Sequence, residues 1–236
     1  MVTAIFRFHD ELNDFLPAAR RHRAFVTSCA RAATAKHMIE ALGVPHTEVG
    51  LVQINEADAG LDQMLQDGDR VSVFPGSPPP PSPLLFVADA HLGGLARLLR
   101  MAGFDTLYDN AFHDAEIAAI SAQQQRIVLT RDRDLLIRKD ILHGCYVRAL
   151  KAEPQAQQVL ARYRLAGQAR PFTLCLHCNA PLHAVAKSEV EKDLPPQVRS
   201  LHQTFRRCDV CRRVYWKGSH WQRMDKLLRR ILNQPG

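Results

Sequence analysis

Two sets of side chains in this 236-residue chain are spaced to do chemistry. The first is made of thiols. Cys175-Leu176-His177-Cys178 and Cys208-Asp209-Val210-Cys211 are two Cys-x2-Cys knuckles, and each can chelate one face of a tetrahedral Zn²⁺. The 29 residues between them exceed the roughly 15–20 of the usual pattern, but a ribbon built from hairpins tolerates a long insert. Four thiolates complete a structural zinc shell, which leaves His177 and His220 in reserve. Disulfides are the competing reading, and a reducing compartment disfavours them. Cys29 and Cys145 stand in apolar, strand-like surroundings and read as buried thiols.

The second set is acidic. Asp89, Asp109 and Asp132 follow the apolar stretches Leu84–Ala88, Phe104–Tyr108 and Ile127–Thr130, while Asp114, Glu116 and Asp134 stand close by in sequence. Carboxylates gathered at one edge repel and raise one another's pKa unless a cation sits between them. A hard divalent ion, Mg²⁺ or Mn²⁺, is the natural neutraliser. Such an ion would lower the pKa of bound water and offset charge on a phosphodiester under attack. Each acid also has a plainer reading. Asp89, Asp114 and Asp132 precede expected helices, where Asp is a favoured N-cap, and Asp134 suits a first-turn position. Capping needs one acid per helix, however, and does not ask for Asp132 and Asp134 together. No Gly-rich phosphate loop and no Ser/His/Asp nucleophile set is evident, which disfavours NTPase and serine-hydrolase chemistry.

These residues need elements to position them. Residues 78–83, Pro-Pro-Pro-Pro-Ser-Pro, form an extended spacer that can join neither sheet nor helix. Before it, Ala4–Phe8 alternates as a strand with Arg23–Val26 as its partner. A helix follows between the N-cap Thr34 and the C-cap Gly43, then strands over Val49–Ile54 and Arg70–Phe74, the latter introduced by the turn Asp67-Gly68-Asp69. After the spacer, strands and helices alternate: strand Leu84–Ala88, helix His91–Ala102, strand Phe104–Tyr108, helix Asp114–Gln124, strand Ile127–Thr130, helix Asp132–Arg138, strand Cys145–Ala149. Repeated βα units imply an α/β domain with a parallel sheet, whose ligands bind beyond the carboxyl ends of the strands. A softer boundary is expected over residues 150–170. Trp221, Met224, Leu227, Leu228 and Ile231 then form one stripe of a terminal helix.

Charge divides unevenly. Residues 1–150 carry 15 Lys and Arg against 18 Asp and Glu, whereas residues 151–236 carry 16 against 6. A net charge of +10 on the second part, against −3 on the first, points to a polyanion and chiefly to nucleic acid; a basic face kept for solubility is the alternative. Arg212, Arg213, Trp216 and Lys217, with Arg206, Arg207 and Tyr215, interleave cations and rings as RNA binding requires. Trp216 serves equally well as the ribbon's own core. Arg97 and Arg100 stand ready to grip phosphate or to face solvent, and Arg131 and Arg133 flank Asp132. The longest central apolar run falls far short of the ~18 residues of a membrane span. Residues 1–15 lack a basic-then-apolar leader pattern, so a soluble, cytoplasmic protein with no membrane partner is expected.

Phe86-Val87-Ala88-Asp89 followed by Leu92 to Asp105, then Asp114-Ala115-Glu116-Ile117 and Leu129-Thr130-Arg131-Asp132-Arg133-Asp134-Leu135, resembles the PIN-like RNases related to the C-terminal domain of the Mut-seven exonuclease. The four cysteines and Tyr215-Trp216-Lys217-Gly218-Ser219-His220 resemble that family's zinc-ribbon tail. The order of elements in residues 1–77 resembles the ubiquitin-like β-grasp of sulfur-carrier proteins, and bacterial members of the RNase family share this arrangement. The resemblance implies a β-grasp α+β domain (1–77), the spacer (78–83), a PIN-like RNase domain (84–165) and a zinc ribbon with a terminal helix (166–236). It implies Mg²⁺ or Mn²⁺ held by Asp89, Asp114 and Asp132, with Asp134 ligating directly or through water. Many PIN domains add a Glu on a helix between the first two of these aspartates. Residues 90–113 contain none, and Glu116 or Asp109 is left to supply that charge. The implied activity is metal-dependent RNA hydrolysis; the alternatives are an RNA-binding adaptor with a weak or inactive acidic pocket, and a sulfur-carrier-related scaffold. Carriers work through a free terminal Gly-Gly, whereas Gly76 runs on into prolines, so the expected use of the β-grasp is a protein partner.

Overall fold

The computed structural model describes residues 2–30, 32–77 and 79–233; Pro78 of the spacer and residues 234–236 of the tail lie outside the described residues. In chain order the strands are β1 (Val2–Phe8), β2 (Phe25–Cys29), β3 (Val49–Ile54), β4 (Ala57–Ala59), β5 (Arg70–Pro75), β6 (Phe86–Ala88), β7 (Thr106–Tyr108), β8 (Ile127–Thr130), β9 (Gly144–Tyr146), β10 (Leu182–Val185), β11 (Phe205–Cys208) and β12 (Val214–Trp216). The α-helices are α1 (Ala35–Ala41), α2 (Gly93–Ala102), α3 (Asp114–Gln124), α4 (Arg133–Ile137), α5 (Ala152–Arg162), α6 (Lys187–Val190), α7 (Pro196–Leu201) and α8 (Ser219–Leu232). The chain forms two compact units, one of residues 1–82 and 113–146, the other of residues 83–112 and 147–236.

In the first unit the alternating apolar residues of β1 and β5 make a two-faced pattern that pairs in parallel at the centre of a five-stranded sheet. Its order is β2-β1-β5-β3-β4, the outer pairs antiparallel. α1 covers that sheet. Thr34 accepts a hydrogen bond from the His37 N–H at 3.2 Å, the expected N-cap, and Met38 and Ile39 join Phe6, Phe8, Leu12 and Val73 in the core. A short 3-10 stretch, Asp10–Phe15, stands between β1 and β2 where a simple hairpin was expected. Its Leu12 and Phe15 are buried, which anchors the connection to the core. α3, β8, α4 and β9 complete this unit, with β8 and β9 pairing in parallel.

The second unit holds β6 and β7, also parallel, with α2 and α5 packed on each other. α5 occupies the stretch expected to be a boundary. Pro154 falls in its first turn, where no backbone donor is needed, and Ala156, Val159 and Leu160 turn inward. Gly103 ends α2 with φ +92°, and the Arg170 carbonyl lies so close that only glycine fits. From there the ribbon begins: Arg170 N–H donates to the Ala102 carbonyl at 2.8 Å and Phe172 N–H to the Met101 carbonyl at 2.9 Å. Strands β10-β11-β12 form an antiparallel sheet over a small core of Val190, Leu194 and Phe205. Leu228 and Ile231 of α8 are buried as the stripe predicts. No helix among the described residues is long and apolar enough to cross a membrane.

Candidate functional site

β6 is apolar and wholly buried, so Asp89 is the first polar residue to emerge at its carboxyl end. The backbone turns there into a short 3-10 stretch, with Leu92 N–H donating to the Asp89 carbonyl at 2.8 Å. The Tyr108 hydroxyl donates to the Ala90 carbonyl at 3.0 Å, which fixes the turn against β7. A Cβ on Gly93 would stand 2.6 Å from that hydroxyl, so the glycine opens the route. Asp89 is 9% exposed, whereas Asp109 lies in an exposed loop and accepts from Ala111 N–H at 2.9 Å.

The other acids stand in the first unit, at the starts of α3 and α4. Asp114 is the first residue of α3 and Glu116 follows in the same turn, both exposed and without a side-chain cap at His113. Asp132 is the N-cap of α4: its Oδ1 accepts from Asp134 N–H at 2.8 Å, while its own N–H donates to Thr130 Oγ1 at 2.9 Å. Arg138 is held above its ordinary range first by its hydrogen bond to Asp140 and also by the charge of Asp114, so one cation stands within electrostatic reach of that acid. The donors are all carboxylate oxygens, the chemistry a hard divalent ion takes.

The cysteines converge. Their four sulfurs lie within 4.8 Å of one another, with Cys175 and Cys211 at 3.5 Å and Cys178 and Cys208 at 3.3 Å. Tetrahedral zinc with Zn–S near 2.3 Å needs sulfurs about 3.8 Å apart, so the donor set fits that ion. Each knuckle turns through a left-handed residue just after its second cysteine, Asn179 (φ +69°) and Arg212 (φ +62°). Burial pushes the Cys175 thiol up, but hydrogen bonds from the Tyr215 hydroxyl (3.1 Å) and the Cys178 and His177 N–H groups outweigh it and bring the thiol to about 6. Burial pushes Cys178 up to about 12 and raises Cys211 as well.

Residues 85–228 match the family described as the Mut7-C RNAse domain, and residues 1–79 match the one described as Mut7-C ubiquitin. The chain belongs to the Mut7-C RNase family. It joins an N-terminal ubiquitin-like domain to a PIN-like, metal-dependent RNase with a four-cysteine metal-binding motif. No curated protein matches it. Two solved structures are similar to part of the chain, the crystal structures of the H. volcanii small archaeal modifier protein 1 and of SAMP1 from Haloferax volcanii. Each is 18% identical, with 32% and 33% of this chain and 98% of that chain covered, at a TM-score of 0.26.

The second unit of this Mut7-C RNase contains a cleft of about 1490 Å³ that brings together Arg97, Arg213, Trp216 and Lys217. Arg206, read as a candidate cation, also lines the cleft; sequence reasoning missed Phe172 and read Trp221 only as part of the terminal helix's packing stripe. Phe172 and Trp221 lie 5.1 Å apart, and Lys217 Nζ stands 5.3 Å from the Trp221 ring. The signal was present in the interleaving of basic and aromatic residues beyond Tyr215. Trp216 also packs against the ribbon core, so both readings of that residue have a physical basis. Arg212 is exposed on the second knuckle, whereas Arg131 and Arg133 stand in the first unit beside Asp132.

Arg100 corrects the expectation. Its side chain touches the cleft, but it is 4% exposed and its guanidinium is committed to carbonyls: Thr106 (2.8 Å), His177 (2.7 Å) and Leu176 (3.4 Å). A buried guanidinium bound this way ties α2 and β7 to the first knuckle and has little left for a phosphate. Burial lowers its pKa, and the neighbouring Cys178 and Cys175 sulfurs oppose that shift.

Proposed function

We propose that this protein hydrolyses RNA phosphodiester bonds at Asp89, Asp114, Asp132 and Asp134, with Glu116 beside them, while the basic ribbon holds the strand. The observation that carries this reading is the emergence of Asp89 and Asp132 at the carboxyl ends of β6 and β8 in a chain of the Mut7-C RNase family. Those aspartates would hold Mg²⁺ or Mn²⁺, which when bound supplies water activation and charge neutralisation. The four thiolates would hold structural Zn²⁺. Arg131 and Arg133 orient the phosphodiester next to Asp132, and the Arg97, Arg213 and Lys217 cations take neighbouring phosphates. Trp216 offers a ring face to a base, and Arg212 adds charge outside the cleft.

Asp89→Asn and Asp132→Asn test the reading. Asn caps a helix as well as Asp does, so the second change preserves the start of α4 and removes only a charge. Both variants should lose metal-dependent cleavage by at least about 100-fold, the scale on which a removed transition-state contact acts, while RNA affinity stays within a few-fold. Wild-type cleavage in either variant would sink the proposal. The hydrogen bond from Asp134 N–H to the Asp132 carboxylate favours a second reading, an RNA-binding adaptor whose acids only finish helices. In that case the wild-type protein retains RNA but shows no Mg²⁺ or Mn²⁺ affinity by calorimetry.

A further inference from the structure

The ubiquitin-like module carries a concentration of charge that its fold does not require. Residues 1–77 hold 7 Lys and Arg against 10 Asp and Glu, yet three of the seven cations fall in the single run Arg20-Arg21-His22-Arg23. Their guanidiniums are positioned by neutral partners. Arg21 Nε donates to the Leu16 carbonyl at 2.8 Å, Arg23 donates to the Ala19 carbonyl, and Arg20 lies over the Phe25 ring at 4.9 Å. Arg133, one residue past Asp132, donates to the Phe15 carbonyl at 3.3 Å. Two arginines, one from the module and one from the RNase half of the same unit, therefore rest on adjacent carbonyls. Phe15 and Leu16 are buried, so these anchors are rigid.

Among the described residues none of Arg20, Arg21, Arg23 and Arg133 forms an ion pair with a carboxylate. By contrast Arg138, Arg207, Arg229 and Arg230 each do, with Asp140, Asp209, Asp225 and Glu153 respectively. Cations gathered without counter-charges repel one another, and a polyanion relieves that repulsion. We propose that Arg20, Arg21 and Arg23, continued by Arg133, form an RNA-docking strip on the ubiquitin-like module that extends the substrate path away from Asp132. The inference rests on the RNase reading above and deepens it: the module contributes to substrate binding and does not act as a carrier. Its position beside Asp132 favours RNA over an acidic protein as the occupant.

The test is binding of an oligoribonucleotide to the full chain without added Mg²⁺ or Mn²⁺, read by fluorescence anisotropy across a salt series. Each phosphate contact on a single strand adds about 0.7 to the slope of log K against log salt. Arg20→Gln/Arg21→Gln/Arg23→Gln should lower that slope by about 2 and weaken binding more than 10-fold at low salt. Arg23→Gln alone should lower it by about 0.7, which keeps the test valid if the triple variant misfolds. The triple Lys variant should keep the wild-type slope, since charge is what the strip supplies. An unchanged slope in Arg23→Gln and in a folded triple Gln variant overturns the proposal. Because binding is read without the divalent ion, a chain that fails to cleave RNA still reports on the strip. Normal cleavage with an unchanged slope removes the strip and leaves the RNase reading standing.

Discussion

Replacing Arg100 with Met keeps a long apolar stem in place and removes the guanidinium. Two short hydrogen bonds from a charged donor are lost, to the Thr106 and His177 carbonyls at 2.8 and 2.7 Å. At about 1.5–3 kcal/mol for each such bond, and with the Thr106 acceptor left buried, the cost is on the order of 3–5 kcal/mol. For a chain of this size each kcal/mol lowers Tm by about 2–4 °C, so the variant should melt roughly 10 °C below wild type. The second effect falls on the metal. His177 and Leu176 lie inside the first knuckle, and the Arg100 charge offsets the thiolates around it. Loss of such an outer partner weakens metal affinity about 10–100-fold. Thermal melting and a competition with a chromophoric zinc chelator read the two effects separately. Arg97→Met is the control: its exposed neighbour on the same helix should leave both unchanged. A Tm within about 1 °C of wild type, with zinc held as tightly as before, would refute the reasoning, since it would mean the buried guanidinium contributes less than a single ordinary hydrogen bond.

Two other outcomes follow from the same geometry. The metal-free cysteine cluster holds protons on Cys178 and Cys211, whose thiols are raised, while Cys175 at about 6 is already a thiolate near neutrality. Zinc must displace at least those two protons, so log K should rise by at least about 2 per pH unit near neutrality, and calorimetry in buffers of differing ionisation enthalpy should show the released protons; a slope near zero would contradict the assignment. Glu48 is 1% exposed, and its Oε1 accepts the Tyr146 N–H at 2.8 Å. Glu48→Ala should cost about 2–4 kcal/mol in denaturant unfolding, whereas Glu48→Gln, which keeps an acceptor, should cost about 1 kcal/mol; equal costs would show that the hydrogen bond is not what matters.

Local chemistry made several elements readable in advance. Thr34 caps α1 where a short polar residue precedes an apolar repeat, and α3 spans Asp114–Gln124 as its period indicates. The cysteine knuckles were legible because metal chelation imposes a short, fixed spacing within each pair. Arg100 was misread because residue type outweighed position. It follows Leu99 and stands four residues after Ala96, both buried, so the helical period had already turned it inward beside Met101 and Ala102. α5 was obscured by Glu153-Pro154 and the glutamines around it, although Ala156, Val159 and Leu160 carry a helical spacing. The proline run read as a boundary, yet residues 113–146 pack with the ubiquitin-like module, and no local signal encodes that long-range choice. The aspartates were legible as strand-end residues, but a cap and a metal ligand use the same residue type at the same place, so spacing alone could not separate the two roles.

The first unit also explains why its β-grasp differs physically from a carrier. A carrier needs its last residues free to reach another protein's active site. Here Pro75 pairs with Val49, Gly76 N–H donates to the Glu48 carbonyl at 3.0 Å, and Gly50 and Gly76 approach so closely that neither has room for a side chain. The segment that would be a mobile tail is therefore held along β3. The module's other buried polar groups point the same way. His46 Nε2 lies 2.9 Å from the Ile141 carbonyl, which can only accept, so that nitrogen carries a hydrogen. His46 Nδ1 lies 2.7 Å from Glu40 Oε1, so the ring stands between α1 and the loop before β9. With Glu48 on the Tyr146 N–H and Phe15 edge-on to Tyr146 at 4.9 Å, the module completes its hydrogen bonding and its core only by using residues 133–146. Separating it would leave buried polar groups unpaired on both sides, at about 1–3 kcal/mol for each. Fusion thus removes the two properties a carrier depends on, a free terminus and an independent surface, and leaves the module as a built extension of the RNase.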